Sequence, residues 1–61
     1  MIELTRLNGL PFILNCDHIE SIEENPDTVI TLTNGKKIIV KERRQDVKNL
    51  VISYKRDIYV N

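Results

Sequence analysis

Cys16-Asp17-His18 sets three metal-ligating side chains in a row. Thiolate and imidazole both bind zinc, and in an extended segment Cys16 and His18 would share a face. A stable zinc site needs four ligands, or three with an open position. The chain has one cysteine and one histidine, so a site here could be completed only between two chains. The same pair is poor material for nucleophilic catalysis. Neighbours on one strand lack both the attack geometry and a third, orienting group. The expectation is a buried thiol beside an edge histidine.

Glu20, Glu23 and Glu24 are carboxylates that could in principle serve as acid and base. That work needs a concave, partly dry site, whereas these acids flank a turn and such side chains are normally solvated. Both glycines follow asparagine in turn signals, which leaves no glycine-rich phosphate loop. No catalytic, cofactor-binding or metal-binding residue is expected, and no enzyme. The concentrated basic feature is Lys41-Glu42-Arg43-Arg44-Gln45, with Lys36 and Lys37 upstream. Lys41, Arg43 and Arg44 are the candidate partner-binding residues, suited to phosphate or to an acidic protein. Nucleic-acid binders are usually net basic, and single-strand binders add stacking aromatics. Here nine basic residues balance nine acidic ones and Phe12, Tyr54 and Tyr59 are scattered, which disfavours nucleic acid.

These residues need a scaffold, and 61 residues allow one domain. A chain this short buries only about 60% of its unfolded surface. Small chains commonly add a disulfide, a metal or a partner. Cys16 has no partner cysteine, and a lone thiol fits a reducing compartment. No run approaches the roughly 18 apolar residues of a membrane span. The start lacks the basic and apolar regions of a signal peptide. A cytoplasmic chain that associates with itself is the expectation. Charge is also split along it. Residues 1–30 carry Glu3, Asp17, Glu20, Glu23, Glu24 and Asp27 against Arg6, a net of −5. Residues 31–61 carry eight bases against Glu42, Asp46 and Asp57, a net of +5.

The spacing predicts an α+β domain: a small antiparallel sheet or partly closed barrel of four to five strands, with one C-terminal helix. Strands are expected at about 2–7, 10–15, 18–24, 28–33 and 36–41, and the helix at about 44–57. Asn8-Gly9 and Asn34-Gly35 each sit between β-rich runs, the strongest short hairpin signal. Read as two-residue loops, they pair Leu4 with Ile13 and Thr5 with Phe12 in the first hairpin. In the second they pair Thr31 with Ile38 and Val29 with Val40. Ile19 and Ile22 lie three apart, as in a helical turn or an irregular strand; Asn25-Pro26-Asp27 after them suits a turn and favours the strand. Val47, Leu50, Val51, Tyr54 and Ile58 follow the spacing of one helix face. The helix start is poorly marked, because residues 41–44 contain no Ser, Thr, Asp or Asn to act as a cap.

Two families share the opening residues. Met1, Leu4, Thr5 and Arg6 match the start of the carbon-storage regulator family of RNA-binding proteins, but that likeness ends after six residues. Across roughly residues 1–58 the chain resembles the FlbD/SwrD family of small flagellar and swarming-motility proteins. The stretches that carry it are "MIELTRLNG", "FILN", "IESIEENPDTVITLTNGKK", "IIVKE" and a closing helix with "YKR". The resemblance implies a cytoplasmic accessory linked to flagellar motor power, with no catalytic residues. Flagellar stator or rotor proteins are the partners it suggests, and a small RNA- or DNA-binding regulator is the alternative.

With two-residue loops, one face of the second hairpin carries Ile30, Leu32 and Ile39, and the other carries Val29, Ile38 and Val40. A single helix covers one face. Val29, Ile38 and Val40 are therefore the candidate self-association residues, in a homo-oligomer most simply two-fold.

Overall fold

The structure, a computed structural model, describes residues 1–59, with side chains through residue 57. It is α+β. Strands β1 (Ile2–Thr5) and β2 (Pro11–Leu14) form one antiparallel hairpin. A short 3-10 turn, Cys16–His18, leads into β3 (Ile19–Glu24). Strands β4 (Thr28–Leu32) and β5 (Lys37–Val40) complete a second antiparallel sheet in the order β3-β4-β5. Helix α1 (Arg44–Tyr59) closes the described chain. The two sheets are not closed into a barrel. They meet at one bridge, Arg6 with Val40, where the Lys41 amide donates to the Thr5 carbonyl at 2.9 Å.

Both hairpins differ by one residue from the two-residue loops expected. Leu4 faces Phe12 and Thr5 faces Pro11 in the first; Thr31 faces Lys37 and Ile30 faces Ile38 in the second. A two-residue type I′ loop needs φ > 0 at both central residues, but only Gly9 (φ 92°) and Gly35 (φ 87°) are left-handed here. The asparagines keep negative φ, so each loop takes three residues, a tight turn followed by a left-handed glycine. The two turns share their internal hydrogen bonds, while the Thr33 amide of the second also donates to the His18 carbonyl at 2.8 Å. Gly9 donates to the Arg6 carbonyl and Gly35 to that of Leu32, both at 2.9 Å. Asn8 Oδ1 accepts from the Leu10 amide and Asn34 Oδ1 from that of Lys36, both at 3.0 Å.

A one-residue slip of register exchanges faces. Ile30, Leu32, Ile38 and Val40 therefore share the inner face of the second sheet, and Val29 and Ile39 share the outer one. The grouping of Val29 with Ile38 and Val40 on one exposed face is overturned: Val40 is 3% exposed, in the core. That core also holds Ile2, Leu4, Leu14, Ile30 and Val47, and lies between the two sheets and the helix. Phe12, Ile19, Ile22, Leu32, Ile38, Val51 and Tyr54 pack around it. In β3 the register shifts between Ile19 and Ser21. This irregularity lets isoleucines three apart both turn towards the core, which two-residue alternation forbids. On α1, Val47 is fully buried while Leu50 stays 37% exposed at the margin of the stripe. The side chain of Ile58 lies outside the described residues.

Candidate functional site

The Cys16-Asp17-His18 row does not run extended. Asn15 caps the 3-10 turn: its Oδ1 accepts from the Asp17 amide at 3.0 Å, and its carbonyl accepts from the His18 amide at 3.0 Å. The turn buries Cys16 and points Asp17 and His18 to solvent. Cys16 and His18 thus do not share a face. Among the described residues no group of three or more His, Cys, Asp or Glu is placed to hold a metal ion.

The basic junction between β5 and α1 is more organised than its sequence suggests. Lys41, Arg43 and Arg44 are all exposed, and three carboxylates hold the backbone that carries them. Glu42 folds back onto β1. Its Oε1 accepts from the Thr5 amide at 2.9 Å and its Oε2 from the Thr5 hydroxyl at 2.8 Å. Burial pushes the Glu42 carboxyl up, but the Thr5 amide and hydroxyl, with the residue's own amide, outweigh that and leave it below its ordinary value. Asp46 Oδ2 accepts from the Arg43 amide at 3.3 Å, and Glu24 Oε1 accepts from the Arg44 amide at 3.3 Å. The helix begins with Val47 donating to the Arg43 carbonyl, which makes Arg43 the cap residue. Its side chain cannot accept a hydrogen bond, so two carboxylates placed in the positive field of the helix start take over the exposed amides.

The three bases do not form one patch. Lys41 and Arg43 line a cleft with Leu7, Pro26, Asp27 and the edge of Val40. Arg44 lines a second cleft between β3 and α1, with Ile19, Ile22 and Lys48. The junction is therefore a ridge between two open clefts. On one side of it stands the tip of the first hairpin, with Lys41 Nζ 4.0 Å from the position a Cβ would take on Gly9. Arg6 lies over the Phe12 ring at 4.4 Å from its centroid, a cation–π contact that fixes the base of that tip.

Thr5, Glu24, Glu42 and Asp46 are the residues that sequence reasoning missed as organisers of the junction. Asp46 was visible as an acid in the first turn. Thr5 and Glu24 carry no local signal, because their partners lie 37 and 20 residues away.

A family model described as FlbD, flagellar and swarming motility proteins, matches residues 1–59 of the chain. No curated protein and no solved structure matches it.

Proposed function

The chain belongs to the FlbD family of flagellar and swarming motility proteins, and from that premise we propose that it is a non-enzymatic cytoplasmic accessory that supports flagellar motor output through protein–protein contacts. The family match over residues 1–59 carries this reading. Two features of the surface suit it. Lys41, Arg43 and Arg44 stand on a backbone already fixed by Glu42, Asp46 and Glu24, so binding orders only side chains there. Leu7, an exposed apolar side chain, lines the cleft of Lys41 and Arg43, and a mixed apolar and basic surface fits an acidic, partly apolar protein segment. No helix among the described residues is long and apolar enough to cross a membrane.

The test is complementation of a deletion strain, scored by swarming and by torque on tethered cells. Arg43→Glu with Arg44→Glu should lose motor support while keeping the fold, because both side chains are exposed and acids suit a helix start. Full torque in this double variant would remove the junction from the contact. Unchanged torque on deletion, with altered transcript levels, would replace the reading with a nucleic-acid regulator, whose binding would weaken steeply with salt.

A further inference from the structure

Asn8-Gly9 and Asn34-Gly35 are also the places where this backbone is most open to reaction with itself. A glycine after asparagine leaves its amide nitrogen unshielded by a Cβ, and that nitrogen can reach the asparagine's own side-chain carbonyl carbon. Asn8 and Asn34 are both exposed, so water reaches either turn. In each, the amide two residues on, Leu10 or Lys36, donates to Oδ1 at 3.0 Å. That donor sits where negative charge collects during attack on the carbonyl, and so favours it. The restraint is also common to both. The glycine amide donates to the carbonyl three residues back at 2.9 Å, and must leave it before attacking.

The turns part in how firmly that restraint is held. Around the second, β4 lies between β3 and β5, and the Thr33 amide donates to the His18 carbonyl at 2.8 Å. The first belongs to a two-stranded hairpin, a marginal unit on its own. It is joined to the second sheet through one bridge and the Glu42–Thr5 hydrogen bonds. Lys41 adds another difference. Its Nζ lies 4.0 Å from the position of a Cβ on Gly9, whereas nothing lies within 4 Å of that position on Gly35. An ammonium there favours loss of the Gly9 amide proton, which the attack requires.

We propose that Asn8 is a self-modification site of the folded chain, converting ahead of Asn34. The Gly9 nitrogen gives its proton to water and bonds to Asn8 Cγ. The bond from Cγ to the side-chain nitrogen breaks, and that nitrogen takes up a proton and leaves as ammonia. Water then opens the cyclic imide at either carbonyl, giving aspartate or isoaspartate at residue 8. No oxidant or reductant takes part. Each product adds one negative charge to a turn beside Lys41, in a chain whose acids and bases otherwise balance. Isoaspartate also routes the backbone through the side chain, lengthening a loop whose residue count sets the register of its hairpin. The first hairpin thus carries a slow, one-way change of charge and shape next to the basic junction. The inference goes beyond the motility reading and stands without it.

The test holds the purified full chain at neutral pH for days and follows each asparagine by peptide mass spectrometry with an isoaspartate-specific assay. In the native chain Asn8 should convert at least about fivefold faster than Asn34; in concentrated urea, where both turns are lost, the two should convert at similar rates. Lys41→Gln should slow Asn8 about threefold and leave Asn34 unchanged. Glu42→Ala should speed Asn8 about fivefold, with Asn34 again unchanged. Equal native rates, or a faster Asn34, overturn the proposal. So does an Asn8 that stays intact in the native chain while it converts in urea, since the turn then protects it. A rate at Asn8 that neither variant moves overturns it as well.

Discussion

The first hairpin and the second are built on one turn and held in two different ways. In both, an Asn-Gly pair sits in a three-residue loop, with glycine left-handed and the asparagine side chain accepting from the amide two residues on. The second hairpin is woven into its sheet: β4 pairs with β3 on one side and β5 on the other, and Ile30 at its centre is fully buried. The first is a two-stranded unit, and isolated two-stranded hairpins are marginal in water. It is attached through Ile2, Leu4 and Leu14 in the core, one bridge to β5, and the Glu42–Thr5 hydrogen bonds. The same local chemistry thus yields a structural spine in one place and a docked arm in the other. What separates them is supplied by residues far away in sequence.

The largest effect should come from the attachment of the arm. Glu42→Ala removes two hydrogen bonds to Thr5, one of them to a backbone amide, and should cost roughly 1–2 kcal/mol once solvent exposure is discounted. Amides of residues 2–14 should then exchange by local opening before those of β4, which hydrogen-exchange mass spectrometry or NMR would resolve. The pH dependence has a definite sign. Because the folded Glu42 carboxyl lies below its ordinary value of 4.5, its contribution is complete above about that pH. It fades as pH falls through the lower folded value. Glu42→Gln should flatten that part of the acid limb of the stability profile. Equal exchange from both hairpins in Glu42→Ala would mean that the arm is no more separable than the spine.

The turns should respond alike where the attachments do not. Gly9→Ala and Gly35→Ala each force an alanine into left-handed backbone and should each cost about 1 kcal/mol. Space does not distinguish them: a Cβ at Gly9 would meet only Lys41 Nζ at 4.0 Å, and at Gly35 nothing within 4 Å. Unfolding free energies from denaturant titration that differ by more than about 0.5 kcal/mol between the two variants would show that the loops are not energetically equivalent.

Legibility in the sequence divides along the same line. The hairpins were readable because Asn-Gly between β-rich runs is a local signal, and the helix because Val47, Val51 and Tyr54 repeat at its period. Register was not, since Asn-Gly accepts a two-residue or a three-residue loop, and the choice exchanges Val29 with Ile38 and Val40 between faces. At the candidate site, the exposed bases Lys41, Arg43 and Arg44 were evident from composition alone. Their organisers were hidden, because a glutamate that clasps Thr5 from 37 positions away looks like any solvated glutamate. Cys16 and His18 would share a face only if their segment were extended; its first two residues lie between the expected strands, and Asn15, a capping residue, closes it into a turn instead.

The smallest expected effect is the sharpest test of what the two loops have in common. Grafting the second loop onto the first, by Leu7→Thr and Leu10→Lys, keeps every hydrogen bond that defines the turn, because all of them use backbone groups or Asn8. Both replaced side chains are more than half exposed, so little apolar area leaves the folded state. Threonine and lysine already occupy these positions in the second loop, in the same backbone conformation. The stability of the monomer should change by less than about 0.5 kcal/mol, measured by urea unfolding at a concentration low enough to suppress association. A loss near that of Glu42→Ala would mean that Leu7 and Leu10 help to hold the arm against the core. Unchanged stability would leave contact with another molecule as their role.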